Sequence, residues 1–192
     1  MKRLLLLLTA LASAAALSAE TYTIDSVHSS VGFSLRHIVS KFSSNFTKVS
    51  GTVTFDAAAP EKSSVEATVE IASINTANEK RNAHVLSGDF FDVTKFPSAN
   101  FKSKSWKKTG ADTFDVTGDL TIKDVTKEVV LHATLLGSGP GMDGSMVTGW
   151  EATTKINKSD FGLAGPAMLS KALGDEVSLT IGVEAGYKPA AK

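Results

Sequence analysis

The feature that most constrains the fold is an alternation of apolar and polar residues along most of the chain. In the segment 113–123 the apolar or small residues occupy every even position: Phe114, Val116, Gly118, Leu120 and Ile122. The same pattern recurs in the segments 49–56, 65–71, 129–135, 146–156 and 177–185. Successive side chains of a β-strand point to opposite faces, so this period predicts strands with one buried and one wet face.

Three further segments, 22–25, 28–37 and 99–106, bring the predicted strands to eight or nine. Several connections are short (108–112, 123–127 and 137–144). Short links join antiparallel neighbours. Few helices are available to cover an open sheet, so we expect closure into a barrel or a sandwich, which also removes exposed strand edges. The fold class predicted from the pattern is therefore all-β and antiparallel.

Two segments break the alternation. Residues 78–87 favour a short helix, with Thr76 or Asn78 as its N-terminal cap and Gly88 as its stop. Residues 166–173 begin with a proline, which can open a second short helix. We therefore expect one or two short helices beside the strands.

The N-terminal segment predicts export. Two basic residues precede the apolar run 4–17, and small residues follow at Ser18 and Ala19. This order is typical of a secretory signal peptide, whereas a membrane-spanning helix needs about 20 apolar residues. Cleavage is expected after Ala19, with a cut after Ser18 as the alternative. The prediction is a signal peptide at 1–19, a domain at 20–192, and a periplasmic or secreted location.

Composition excludes several classes of function. The chain has 20 basic and 20 acidic residues, a balance that gives no electrostatic basis for binding nucleic acid. The same balance gives no strong attraction to anionic membranes, although it permits transient membrane contact and a homodimer. The chain contains no cysteine, so thiol catalysis and thiolate metal sites are excluded.

Short motifs, in a fixed order, carry a resemblance to a known family. They are Tyr22-Thr-Ile-Asp25, His28-Ser29, Gly51-Thr-Val-Thr-Phe-Asp56, Ser73-Ile-Asn-Thr76, Arg81, His84, Asp89-Phe-Phe-Asp92, Phe96-Pro97, Gly118-Asp-Leu-Thr121, Asp160-Phe-Gly162 and Gly174-Asp-Glu-Val177. Because these motifs occur in this order, the chain resembles the YceI-like, polyisoprenoid-binding proteins. The resemblance implies a lipocalin-like β-barrel of about eight strands. It also implies an isoprenoid or other long amphiphilic lipid in an apolar cavity, held for transport, storage or sequestration.

Some positions depart from the usual pattern of that family, Asp124 and Lys158 among them. Asp124 stands where the family usually has glycine, and aspartate can enter the left-handed turn conformation at modest cost, so the hairpin is expected to form. Lys158 stands where the family usually has arginine shortly before Asp-Phe-Gly. Lysine keeps the positive charge but loses the bidentate geometry of arginine.

Neither a catalytic nor a metal constellation is evident in the sequence. His28 and His37 are nine residues apart, which predicts opposite faces of one strand. No His-x-x-x-His spacing is present, and no serine lies in a nucleophile elbow. We therefore predict no catalytic residue, no metal and no cofactor apart from a bound isoprenoid-type or fatty-acyl lipid.

Apolar side chains are the remaining candidates for a functional site. An eight-stranded barrel can just hold one small ligand, and small inward residues such as Gly118 and Ala133 leave room for it. His37 falls on an apolar face, either as a hydrogen-bonded core histidine or as a polar group at the cavity wall. The candidate ligand-binding residues are Phe33, Leu35, His37, Phe55, Phe91, Phe101, Trp150, Phe161 and Leu163.

Two other functions stay open. One is an enzyme acting on an apolar substrate, with His37, His84 or Asp89 as acid–base groups. It requires a polar group aimed into the cavity beside a partner. The other is a structural or stress-response barrel without a ligand, which requires a filled interior.

Overall fold

The computed structural model describes residues 19–188. The predicted signal peptide lies outside these residues apart from Ala19. Within them, no helix is both long and apolar enough to cross a lipid bilayer.

Strands account for most of the described chain. The strand segments are β1 (Glu20–Ile24), β2 (Ser30–His37), β3 (Ser40–Phe46), β4 (Val49–Phe55), β5 (Ser64–Glu70), β6 (Ile74–Asn75), β7 (Ser98–Lys108), β8 (Thr113–Ile122), β9 (Val125–Pro140), β10 (Met146–Asn157) and β11 (Leu173–Tyr187). A single α-helix within residues 19–188, α1 (Glu79–Leu86), lies between β6 and β7.

The strands close into an antiparallel barrel of eight positions. The ring runs β1-β4-β5-β7-β8-β9-β10-β11 and returns to β1 through the pairs Thr23–Gly186 and Ile24–Ala185. Three positions of the ring contain two segments each: β1 with β2, β3 with β4, and β5 with β6. In these positions β2 pairs with β11, β3 pairs with β2, and β6 pairs with β3. The predicted all-β, antiparallel, lipocalin-like barrel of about eight strands is therefore confirmed.

A bend at residues 25–29 lets β1 and β2 share one edge of β11. The Oδ1 atom of Asp25 accepts a hydrogen bond from the backbone N–H of Val27 at 2.8 Å. The Ser29 hydroxyl accepts from the backbone N–H of Glu184 at 3.1 Å, which anchors the bend to β11. His28 lies in this bend rather than on β2, so the prediction that His28 and His37 share one strand was wrong.

The strand directions place the connections at two opposite ends. One end, the mouth end, holds the β2–β3 turn at 38–39, the segment 76–97 with α1, the β8–β9 turn at 123–124, and the β10–β11 connection at 158–172. The other, the floor end, holds the connections 56–63, 109–112 and 141–145. Since β9 runs to Pro140, the predicted connection at 137–144 was placed too early.

Local chemistry explains the elements at the mouth end. The helix α1 begins after Asn78, whose side chain accepts a hydrogen bond from the backbone N–H of Arg81. The second break forms a 3₁₀ turn, Ala167–Leu169. In the β8–β9 turn Lys123, and not Asp124, takes the left-handed conformation, with a φ of 57°. The expected left-handed aspartate was therefore assigned one residue too late.

Aromatic side chains fill the floor end. The rings of Phe55 and Trp150 meet edge to face, with centroids 4.9 Å apart, and those of Trp106 and Trp150 are 5.7 Å apart. Phe114 packs against all three. The Nε1–H of Trp150 donates to the buried Oγ1 of Thr148 at 3.0 Å. Edge-to-face aromatic packing of this kind gives the floor end a dense apolar wall.

Candidate functional site

An apolar cavity of about 360 Å³ lies inside the mouth end. That volume is within the range of about 300–1,000 Å³ that is usual for small-molecule sites. Its walls come from the inward faces of β2, β3, β5, β7, β8, β10 and β11, and from α1 and the loops above them. Aromatic and aliphatic lining residues include Phe33, Leu35, Phe42, Phe46, Val85, Phe91, Leu163, Leu169, Leu173 and Leu179.

Five of the nine predicted site residues meet in this mouth cavity. Phe33, Leu35 and His37 reach it from β2, because alternate residues of a strand share a face. Phe91 and Leu163 reach it from the loops of the mouth end. Phe33, Leu35 and Phe91 are only partly buried, because each borders the open space of the cavity.

A deeper cavity of about 130 Å³ lies between the mouth cavity and the floor end. It brings together two more of the predicted residues, Phe101 and Trp150. Both cavities share wall residues at what we call the waist: Val31, Val69, Ala99, Leu120 and Leu179. Because of these common walls, the two cavities form consecutive sections of one apolar interior.

Two predicted residues line neither cavity. Phe55 packs into the aromatic wall of the floor end. Phe161 is 2% exposed and belongs to a buried cluster with Phe46 and Ile71. Its position supports the mouth cavity from behind, because Phe46 and Ile71 are themselves lining residues.

The site predicted from the sequence lacks two phenylalanines of β3. Phe42 and Phe46 line the mouth cavity, and Phe33 packs against both, with ring centroids 6.2 Å and 5.6 Å away. The signal was weak because five of the seven β3 residues are polar, including Ser44 on the inward face. The spacing of two phenylalanines four residues apart was the only indication of a buried face.

Polar groups border the mouth cavity at its outer edge: His37, Thr76, Arg81, His84 and Lys158. The guanidinium of Arg81 donates to the backbone carbonyl of Thr76 at 2.6 Å and lies 4.6 Å from the centre of the Phe42 ring. These contacts hold a positive charge above the apolar lining. The arrangement is suited to an amphiphile with its polar end at the mouth.

Two other polar groups of this edge have local partners. The Nε2 atom of His84 lies 2.8 Å from a carboxylate oxygen of Asp89, which links α1 to the turn that follows it. The Nζ of Lys158 donates to the backbone carbonyl of Ala164 at 3.1 Å and lies 3.7 Å from Asp175. Hydrogen bonding from Ser159 lowers the pKa of Asp175.

Away from the cavities, Asp25, His28 and Glu184 each place one atom of the kind that binds metal ions within 4.8 Å of the other two. The group is open to solvent on the outside of the bend, and hydrogen bonds within it account for its geometry. The Nδ1 of His28 is 2.8 Å from Asp25 and 3.7 Å from Glu184. Asp25, His28 and Ser29, which belong to the family motifs, therefore hold the bend between β1 and β2 in place.

Known proteins share both the sequence pattern and this architecture. The model of the YceI-like domain matches residues 22–185. The chain belongs to the YceI-like family. A relative named UPF0312 protein, from Pseudomonas savastanoi pv. phaseolicola, is 41% identical over 173 residues, which cover 88% of this chain and 90% of that protein.

Solved structures agree with the fold. The crystal structure of the Campylobacter jejuni YCEI protein matches with a TM-score of 0.70 and 35% identity, covering 79% of this chain and 88% of that one. A polyisoprenoid binding domain from Saccharophagus degradans matches with a TM-score of 0.67 at 16% identity, covering 88% and 98%. At that identity the second likeness concerns the fold alone.

Proposed function

We propose that this YceI-like protein binds a single long amphiphilic lipid, of the isoprenoid or fatty-acyl class, outside the cytoplasm. The chain of the lipid would occupy both cavities, and its polar end would lie at the mouth. The observation that carries the proposal is the pair of adjoining apolar cavities, which share five wall residues and lie between aromatic rings at the floor end and Arg81 at the mouth.

Energetics are compatible with this role. Burial of about 500 Å² of lipid chain contributes about 12 kcal/mol at ~25 cal/mol per Å². Association and ordering cost about 4–15 kcal/mol. Useful affinity is therefore within reach. Selection would depend on length and shape more than on detailed chemistry, because one methylene contributes only about 1–3 kcal/mol.

The resemblance to the YceI-like, polyisoprenoid-binding family is the reason for proposing an isoprenoid as the class of lipid. The predicted signal peptide at 1–19 supports work in the periplasm or outside the cell. An exported barrel of this kind would shield a lipid from water during transport, storage or sequestration. Export is tested by cell fractionation and by N-terminal sequencing of the mature protein, with Glu20, or Ala19 for the alternative cut, as the expected first residue.

A binding role also accounts better for the interior than the two alternatives. A ligand-free barrel requires a filled core, whereas two cavities interrupt this one. An enzyme requires a reactive group directed at the substrate. His84 and Asp89 do form a pair at the edge of the mouth cavity, but their contact is with each other and links α1 to its following turn.

The decisive experiment is extraction of the purified mature protein with organic solvent, followed by mass spectrometry of the extract. We expect an isoprenoid or fatty-acyl lipid in stoichiometric amount. Lipid-free protein should then take up farnesol or a fluorescent fatty acid. Absence of lipid in the extract together with no uptake of either probe would overturn the proposal.

A further inference from the structure

The mouth end carries large apolar side chains that the barrel leaves in water. Val39 at the tip of the β2–β3 turn is 96% exposed, its neighbour Ile38 is 56% exposed, and Met168 in the β10–β11 connection is 85% exposed. Exposed apolar side chains that occur singly need no explanation. These three lie on two segments that the structure holds together.

Direct hydrogen bonds join the two segments. The backbone N–H of Ile38 donates to the carbonyl of Ala172 at 2.7 Å. The Nη1 of Arg36 donates to the carbonyl of Ile38 at 3.0 Å and to that of Lys171 at 3.4 Å. Residues 36–41 and 166–172 therefore form one surface, which we call the rim patch.

The rim patch is continuous with the mouth cavity. His37 and Leu169 belong to the patch and also line the cavity. Leu173, the residue that follows the patch, lines it as well. A lipid leaving the cavity on this side would pass directly over the exposed apolar residues.

Backbone conformation shows that the apolar tip is costly to the fold. Ile38 has a φ of 53°, in the left-handed region that β-branched residues rarely adopt. Glycine, asparagine or aspartate is the usual residue at such a position of a two-residue hairpin. An isoleucine here is unfavourable both for its backbone and for its exposure, and such costs concentrate at functional surfaces.

The charge of the rim patch has one sign. Arg36, Lys41 and Lys171 are its charged residues, apart from the titratable His37, and it contains no carboxylate. All three are exposed. Asp175, a few residues farther along, already accepts hydrogen bonds from Ser159 and lies 3.7 Å from Lys158. The balanced charge of the whole chain hides this local excess.

We infer that the rim patch docks onto the surface of an anionic lipid bilayer, with Ile38, Val39 and Met168 inserted and the three cations against the headgroups. Apolar side chains flanked by lysine and arginine are the combination that binds such interfaces. The inference rests on the proposed function, because docking would open the mouth cavity towards the membrane from which a lipid is taken or to which it is delivered.

The test is flotation of the mature protein with vesicles of phosphatidylglycerol and phosphatidylethanolamine, compared with vesicles of phosphatidylcholine. We expect binding to the anionic vesicles that weakens with salt. Val39→Asp should reduce it by about tenfold or more. Lys41→Gln and Lys171→Gln should each reduce it by about fivefold, the effect of one cation at an anionic surface.

Two further variants protect the test against misfolding. Ile38→Gly should weaken vesicle binding while leaving the fold at least as stable, since glycine removes the strain of the left-handed residue. Met142→Asp, at an equally exposed position of the floor end, is the matched control and should bind vesicles like the unchanged protein. Equal binding by Val39→Asp and the unchanged protein would overturn the inference.

The outcomes also separate this inference from the proposed function. Normal uptake of farnesol without vesicle binding would reject the docking surface and retain the lipid-binding cavity. Vesicle binding through the rim patch without any lipid uptake would retain the docking surface and reject the lipid-binding cavity. A second copy is the rival occupant: a dimer that Val39→Asp converts to monomer in sedimentation analysis would assign the patch to self-association and reject membrane docking.

Discussion

The imidazole Nδ1 of His28 lies 2.8 Å from a carboxylate oxygen of Asp25, across the bend that divides one barrel position between β1 and β2. The pair stabilises a turn that is also anchored to Glu184 of β11. Its hydrogen bond raises the pKa of His28 above its usual 6.5 and lowers the pKa of Asp25 below its usual 3.8. The stability of the bend therefore depends on pH.

The signs of the two shifts define the pH window. A raised histidine pKa contributes stability that is complete below pH 6.5 and is lost as the pH rises through the folded-state value. A lowered aspartate pKa contributes stability that is present above pH 3.8 and is lost as the pH falls through the folded-state value. The pair should stabilise most between these limits.

We predict that His28→Ala lowers the melting temperature most between pH 3.8 and 6.5, and less at alkaline pH. Thermal unfolding followed by circular dichroism over a pH series measures the difference between the two proteins. The same substitution in an Asp25→Asn background is the control, because the pH-dependent part of the difference should shrink there to the smaller contribution of Glu184. A difference that is uniform with pH would contradict the assignment.

The waist provides a test of ligand length. Ala99 is 8% exposed, lies between Val69 of β5 and Ile122 of β8, and borders both cavities. We predict that Ala99→Phe blocks the passage between them and weakens binding of a long-chain polyprenol by about tenfold or more, with a smaller effect on farnesol. Displacement of a fluorescent fatty acid measures both affinities.

The substitution should also cost about 1–3 kcal/mol of folding stability, because it overpacks a closed interior. Ala111→Phe, in the exposed floor-end turn, is the control for the added ring and should bind both alcohols normally. Parallel losses for the long and the short alcohol would show that the two cavities do not act as one channel.

Arg81 offers a test of the polar end of the ligand. Its guanidinium lies at the edge of the mouth cavity, above the Phe42 ring. We predict that Arg81→Gln weakens binding of farnesyl phosphate by about tenfold, since a charge-assisted contact is lost, and changes farnesol binding little. Arg81→Lys should retain part of the affinity, and Lys80→Gln on the same helix should have no effect.

Isothermal calorimetry with the phosphate and the alcohol gives the comparison directly. Equal losses for the two ligands would indicate that Arg81 acts by holding Thr76 and Phe42 in place. In that case the polar end of the ligand would not contact the guanidinium.

The floor end provides a stability test that is independent of binding. Thr148 is 2% exposed, and its hydroxyl accepts the hydrogen bond from Trp150 Nε1. We predict that Thr148→Val destabilises the protein by about 1–3 kcal/mol, because it leaves a buried donor unpaired. Urea unfolding measures the change, with Thr148→Ser, which keeps the hydroxyl, as the control. No difference between valine and serine would mean that the hydrogen bond contributes little.

Sequence reasoning predicted the fold well because most strands of this barrel have one dry and one wet face. The alternation located β4, β5, β8 and the paired parts of β9–β11. It failed at β3, where serine occupies an inward position beside the mouth cavity and the contrast between faces is weak. It also ended β9 too early, because Gly137 and Gly139 favour a turn locally while the long pairing with β10 holds them in the sheet.

The candidate site was predicted only in part for a similar reason. Phe33, Leu35 and His37 follow from the period of a single strand, so their common face was evident from the sequence. Phe55 and Phe161 are equally apolar. Whether such a side chain lines a cavity or packs against other side chains depends on residues far away in the sequence.

The antiparallel all-β architecture, the family and the apolar inward face follow from the amino-acid sequence, since these depend on local period and on motif order. Tertiary structure alone decided where the interior stays open. Cavities arise from the fit of side chains contributed by strands far apart in the chain, such as Val31, Ala99 and Leu179 at the waist. It alone also joined residues 36–41 to 166–172 at the mouth, because long-range hydrogen bonds bring them together.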